Sequence, residues 1–174
     1  FGDLRISFPG HSNYSNYYRD LNLDSARASV KYTVAGVTYQ REVFTSFTDQ
    51  VVIVRLTASK KKKISFNAQL TSPQQDVFIA SEGNEVTLSG VTPTHERQKG
   101  KIKFNGRLTA KIQGGKMTCK DGILAVENAN EAILYVSVAT NFVNYKDISA
   151  NETERAKDYL NKALKQDYMQ ARAN

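Results

Sequence analysis

The groups in this 174-residue chain able to do acid–base, nucleophilic or metal chemistry are few: two histidines, one cysteine and seventeen carboxylates. His11 and His95 stand far apart, with no HExxH and no second cysteine to complete a metal pair, so no metal site is expected. Cys119 has no partner for an internal disulfide and reads as a small residue in a strand. Neither GxGxxG nor GxxxxGK[ST] occurs, so no nucleotide cofactor is expected. A Ser-His-Asp set assembles in space and spacing alone leaves it open, but no nucleophile elbow is present. Hydrolysis by paired carboxylates needs two acids facing each other across a cleft. Here the acids fall where surface residues belong. Asp121 is in a turn, Asp20 and Asp24 flank a short strand, Glu42 is on a strand opposite Lys31 or a neighbour, and Glu152 and Glu154 open a helix. No complete active site emerges within the 174 residues.

Charge points to one other place. The net charge is +7, and residues 60–120 hold most of it, with twelve Lys/Arg against four Asp/Glu. Lys60-Lys61-Lys62-Lys63 is the densest point. Such a run can bind an anionic polymer. It also suits a solvated turn between strands, where lysine discourages edge pairing. No aromatic residues interleave with it as stacking platforms, so nucleic acid is not expected as a partner. Apolar runs reach only about four residues, too short to span a membrane.

The elements that must position these groups are mostly strands. Length allows one large or two small domains, burying roughly 70% of the unfolded surface. Nine Tyr and eight Phe with no Trp suit a β-rich core. Residues 26–58 alternate with period 2, pause at Ala35-Gly36 and Thr48-Asp49-Gln50, and so predict three antiparallel strands. Val51-Val52-Ile53-Val54 is continuous, as in a strand covered on both faces. Further strands are predicted over 3–8, 18–23, 64–70, 77–80, 85–91, 102–112, 116–120, 123–126 and 132–139. Asp121-Gly122 marks a hairpin, and Gly106 a candidate bulge. Between the first two strands lies a polar and aromatic loop, His11-Ser12-Asn13-Tyr14-Ser15-Asn16-Tyr17.

The texture changes after Tyr145. Ala156, Tyr159, Leu160, Ala163, Leu164 and Ala171 recur at helical spacing, and either Ser149 or Asn151 fits the N-cap. One amphipathic helix of about twenty residues is expected. It must bury its stripe on the sheet or on a further domain; the second is favoured, as a connector. The domain division is therefore 1–145 for the β-domain and 146–174 for the helix. A start at Phe1 and an end inside a helical pattern suggest a piece of a longer protein, so the lack of a signal peptide decides little.

FPGHSNYSNYYRDLNLDSARASVKYTVAGVTYQREVFTSFTDQVVIVRLTA resembles the amino-terminal β-domain of glycoside hydrolase family 95, the bacterial and plant α-L-fucosidases with some α-L-galactosidases. Arg19, Leu21, Leu23, Tyr32, Val37, Tyr39, Arg41, Glu42, Phe44, Ser46, Asp49, Gln50, Arg55 and Leu56 carry the likeness. GRLTAKIQGG, ANEAILYVSVATNFVNY and NETERAKDYLNKALKQDY extend it over nearly the whole chain. The resemblance implies a mainly β fold, an antiparallel β-supersandwich of two packed sheets followed by one C-terminal linker helix. Beyond that helix the family has an (α/α)6 barrel, the domain's partner. There a Glu acid and Asn-positioned water cleave terminal α-L-fucosyl or α-L-galactosyl linkages by inversion. No catalytic residue carries over to this chain, which is expected to be inactive alone. Fucosylated glycans would be met by the full-length protein, in the periplasm or outside the cell. A sandwich beside a barrel can lend a loop to the rim of its cleft. His11, Asn13, Tyr14 and Tyr17 are the candidate substrate contacts, amide and imidazole donors beside rings. The other reading of that loop has its tyrosines packed into the sandwich edge. Rival readings of the chain are a stand-alone carbohydrate-binding module, an anionic-polymer binder through Lys60–Lys63, and the like-folded amino-terminal domain of family 65 phosphorylases.

Overall fold

Residues 1–173 are described by the computed structural model. Twelve strands precede two helices. The strands are β1 (Asp3–Ser7), β2 (Ser15–Asn22), β3 (Arg27–Val34), β4 (Val37–Ser46), β5 (Val51–Ala58), β6 (Ile64–Thr71), β7 (Val77–Glu82), β8 (Glu85–Val91), β9 (Lys103–Gln113), β10 (Lys116–Lys120), β11 (Ile123–Ala129) and β12 (Glu131–Thr140). The helices are α1 (Glu152–Lys165) and α2 (Tyr168–Ala173).

The expected meander is β3-β4-β5. Its first turn is a two-residue loop with positive φ at both Ala35 (47°) and Gly36 (71°), the geometry that matches strand twist. That turn sets Tyr32 opposite Tyr39 and Val30 opposite Arg41. The meander continues into an eight-stranded antiparallel sheet, β2-β3-β4-β5-β12-β9-β8-β7. A four-stranded sheet, β1-β6-β11-β10, packs on its inner face. Tyr32, Tyr39, Val54, Leu88, Leu108 and Leu134 from one sheet meet Phe66, Leu70, Leu124 and Val126 from the other. The smaller sheet has half the strands, and edge strand β2 stays exposed on both faces.

On the outer face of the larger sheet lies a second core. Leu160 and Ala163 of α1, with Tyr168 and Ala171 of α2, pack on Phe44, Val51, Ile53, Ile133 and Tyr135. This is why Val51–Val54 and Ile133–Val136 are apolar without alternation: β5 and β12 have a dry layer on each side. The amphipathic stripe is therefore buried on the sandwich itself.

Two details depart from the sequence expectation, and a third, the N-cap, is decided between the two residues it offered. The single helix is two. Gln166 is extended, its backbone N–H donates to the Ala163 carbonyl, and its side-chain amide donates to Asp49. Lys111 Nζ meanwhile takes the carbonyls of Leu164 and Gln166, ending the first helix. Asn151 is the N-cap, accepting from the N–H groups of Thr153 and Glu154, while Ser149 is held outside by Asp147. Gly106 is not a bulge. It sits in regular register with Leu88 and Val138, and its missing side chain makes room for the Phe1 ring. The register shifts lie instead at Ser15/Tyr18 and Val126/Ala129, where Asn16 and Asn128 adopt positive φ.

Candidate functional site

The inner face of β3 and β4 carries Val30, Tyr32, Tyr39 and Arg41 in two adjacent cross-strand pairs. Tyr32 and Tyr39 are buried and stacked, ring centroids 5.5 Å apart. The chain leaving β1 brings Phe8 and His11 against them. The His11 ring lies 4.3 Å from Tyr39 and 5.3 Å from Phe8. Arg41 places its guanidinium 4.1 Å from the Phe8 ring centre and 5.1 Å from that of Tyr32.

One hydrogen-bond chain orders these groups. Arg41 Nη2 donates to Tyr32 Oη at 2.8 Å, and Tyr32 Oη lies 2.8 Å from His11 Nδ1. Arginine has only donors, so the tyrosine oxygen accepts from Arg41, and the same hydroxyl is hydrogen-bonded to Nδ1 in the direction set by the imidazole tautomer. A neutral imidazole completes this chain in either tautomer. Burial, then the nearby Arg41 charge, holds its pKa below the ordinary 6.5, in keeping with that state.

His11, Tyr14, Tyr17, Val30, Tyr32 and Arg41 enclose a pocket of about 250 Å³. Tyr14 and Tyr17 form its outer wall, 5.6 Å apart and tilted by 51°, each more than half exposed. They flank the opening, and the Tyr14 ring also meets the buried Tyr32 ring edge-on at 6.2 Å. Of the four candidate contacts, the structure brings His11, Tyr14 and Tyr17 together; Asn13 is exposed and lies outside the lining. Tyr32 and Arg41 were not singled out as site residues. The signal was in the hairpin: once Ala35-Gly36 is taken as a two-residue turn, 32 must face 39 and 30 must face 41.

Glu42, weighed above as an acid, and three further carboxylates are engaged in internal contacts. Glu42 faces Ser29 and Arg55 across the sheet, accepts from the Tyr168 hydroxyl, and lies 3.1 Å from Arg172 and 3.7 Å from Arg27. Burial, then Glu42, keeps the Tyr168 hydroxyl protonated well above the ordinary tyrosine range. Glu131 pairs with Arg55 at 2.6 Å and Glu85 with Arg107 at 3.0 Å. Asp49, almost fully buried, accepts from Ser46 at 2.7 Å and Gln166 at 2.9 Å. Burial, then Glu85, raises the Cys119 thiol pKa, which disfavours the nucleophilic thiolate. No cluster of three metal-ligating side chains occurs among the described residues. Lys60–Lys63 form the exposed turn by which the chain passes from the larger sheet to the smaller, with the Lys62 N–H held by Asn130.

Unequal antiparallel sheets, packed face to face and backed by helices, define a β-sandwich domain. The chain belongs to the family described as glycosyl hydrolase family 65, N-terminal domain, whose family model matches residues 1–145. Two curated relatives are fucosidases by name. Alpha-L-fucosidase 2 of Arabidopsis thaliana is 30% identical over 164 residues, covering 81% of this chain. "Probable alpha-fucosidase A" of Aspergillus niger is 32% identical over 148 residues, covering 80%. The matched region is 19% and 18% of those proteins, so the chain spans under a fifth of their length. In three dimensions it resembles a candidate kojibiose phosphorylase from the human microbiome, with TM-score 0.63 over 98% of this chain and 26% of that one; at 12% identity this shows the fold alone. The family description is thus that of the like-folded rival, while the sequence relatives are fucosidases.

Proposed function

We propose that this chain is a non-catalytic accessory domain of a family 95-like glycosidase whose other domains hydrolyse terminal α-L-fucosyl, or α-L-galactosyl, linkages by inversion. The observation that carries this reading is the match of four-fifths of the chain to two proteins named as fucosidases. The engagement of Glu42, Asp49, Glu85 and Glu131 in internal contacts supports it. Residues 1–145 form the sandwich, and residues 146–174 lead toward an (α/α)6 barrel, the domain's partner. The parent meets fucosylated glycans in the periplasm or outside the cell.

The test is an assay of the purified chain and of its parent on an aryl α-L-fucoside. The parent is expected to release β-L-fucose first, seen by proton NMR before mutarotation, and the chain alone to release none. Turnover by the chain alone, or retention by the parent, overturns the reading. The polyanion alternative through Lys60–Lys63 predicts heparin binding that falls steeply with salt and is lost when those lysines become glutamine.

A further inference from the structure

We propose that the pocket walled by Tyr14 and Tyr17 holds an acidic sugar, its anionic group (carboxylate or sulfate) on Arg41 and its ring against the two tyrosines. The sugar half of this rests on the glycosidase reading above; the acidic half rests on Arg41.

Every contact of Arg41 is neutral. It donates to the Tyr32 hydroxyl and lies over the rings of Phe8 and Tyr32, and its buried Nε has no partner. Arg27, Arg55, Arg107 and Arg172, by contrast, each have a carboxylate within 4.0 Å. Arg41 is half-buried with its Nε out of solvent, so an anion entering the pocket would gain a charge-assisted contact with a guanidinium that has no carboxylate partner. No residue lining the pocket is acidic. Arg19 shares the cross-strand row of Val30 and Arg41, on the same face, and adds a second cation.

The rest of the wall suits a pyranose. The His11 imidazole and the hydroxyls of Tyr14 and Tyr17 are polar groups beside exposed ring faces. Tyrosine rings stack on the C–H face of a sugar while their hydroxyls hydrogen-bond. At about 250 Å³ the pocket is smaller than sites for drug-sized ligands and takes one ring.

The experiment is an NMR titration of the 174-residue chain with methyl β-D-glucuronide, glucose 6-sulfate and methyl β-D-glucoside. One acid should saturate at roughly millimolar concentration and exceed the glucoside about tenfold, the size of a charge-assisted contact. The stronger of the two acids identifies the anionic group. Arg41→Gln should reduce the acid to the level of the glucoside. Tyr17→Ala, at an exposed position that does not threaten folding, should weaken the acid as well. Equal binding of acid and glucoside, or unchanged preference in Arg41→Gln, overturns the acidic assignment and leaves the glycosidase reading standing. No saturation by any of the three overturns the site altogether. If Arg41→Gln does not fold, loss of glucuronide shifts in Tyr17→Ala and their weakening by salt decide the matter: both support the site, and either one missing overturns it. The fucoside assay on the parent tests the glycosidase reading separately.

Discussion

Tyr32 is buried by its ring but committed by its hydroxyl, which accepts from Arg41 and is hydrogen-bonded to His11 Nδ1. That ordering has a pH consequence. His11 is held below its ordinary 6.5, so as pH falls the unfolded chain takes up a proton before the folded one. The stability linked to His11 is fully present above about pH 6.5 and is lost as pH falls toward the folded-state value. His11→Gln should therefore flatten the acid limb. The fall in thermal midpoint between pH 7.5 and 5 should be smaller in the variant; an equal fall places the effect in other groups. A second residue-scale prediction concerns Gly106. A methyl there would collide with the Phe1 ring, which rests edge-on against Phe104. Gly106→Ala should expel that ring at a cost of about 1 kcal/mol, the worth of an aromatic pair. Phe1→Ala should cost as much, and the double variant no more than either, as measured by urea denaturation.

At the scale of elements, α1 is the piece whose amphipathic pattern was plainest and whose role was least plain. A 3.6-residue stripe states that one face will be dry; it does not state what dries it. The stripe lies on β12, β9 and β5, and Leu160 is completely buried there. Leu160→Ala should cost about 2–5 kcal/mol, the range for emptying a packed leucine site, and should lower the denaturation midpoint without moving the far-UV spectrum of the folded state. A loss under 1 kcal/mol would mean that the helix is loosely held. Tyr168→Phe removes one donor to Glu42 but leaves Arg172 and Arg27 beside it, and should cost about 1 kcal/mol. The break between the helices was not visible in the sequence, because it depends on Asp49 and Lys111. These residues, more than fifty positions away, reach the end of α1 only once the sheet has formed.

For the whole molecule, two cores share the eight-stranded sheet, one on each face. Helices and sandwich should therefore unfold together. Truncation after Ala150 should expose Phe44, Ile53, Ile133 and Tyr135, giving strong binding of a hydrophobic dye and a lower melting temperature. Unchanged stability of the truncated chain would instead make residues 152–173 a tether with no structural role. The sequence by itself determined the strands, their hairpins and the likeness to an N-terminal β-domain of a glycoside hydrolase. Period-2 alternation, Ala35-Gly36 and Asp121-Gly122 are local statements, and local sterics decide turn type and side-chain face. Only the tertiary structure decided which strands join which sheet, that Gly106 serves Phe1, and that His11, Tyr14 and Tyr17 share a pocket with Tyr32 and Arg41. The physical reason is the same in each case. These contacts join residues distant in sequence, and the free energy that brings them together is the burial of two whole sheet faces, which no short stretch encodes.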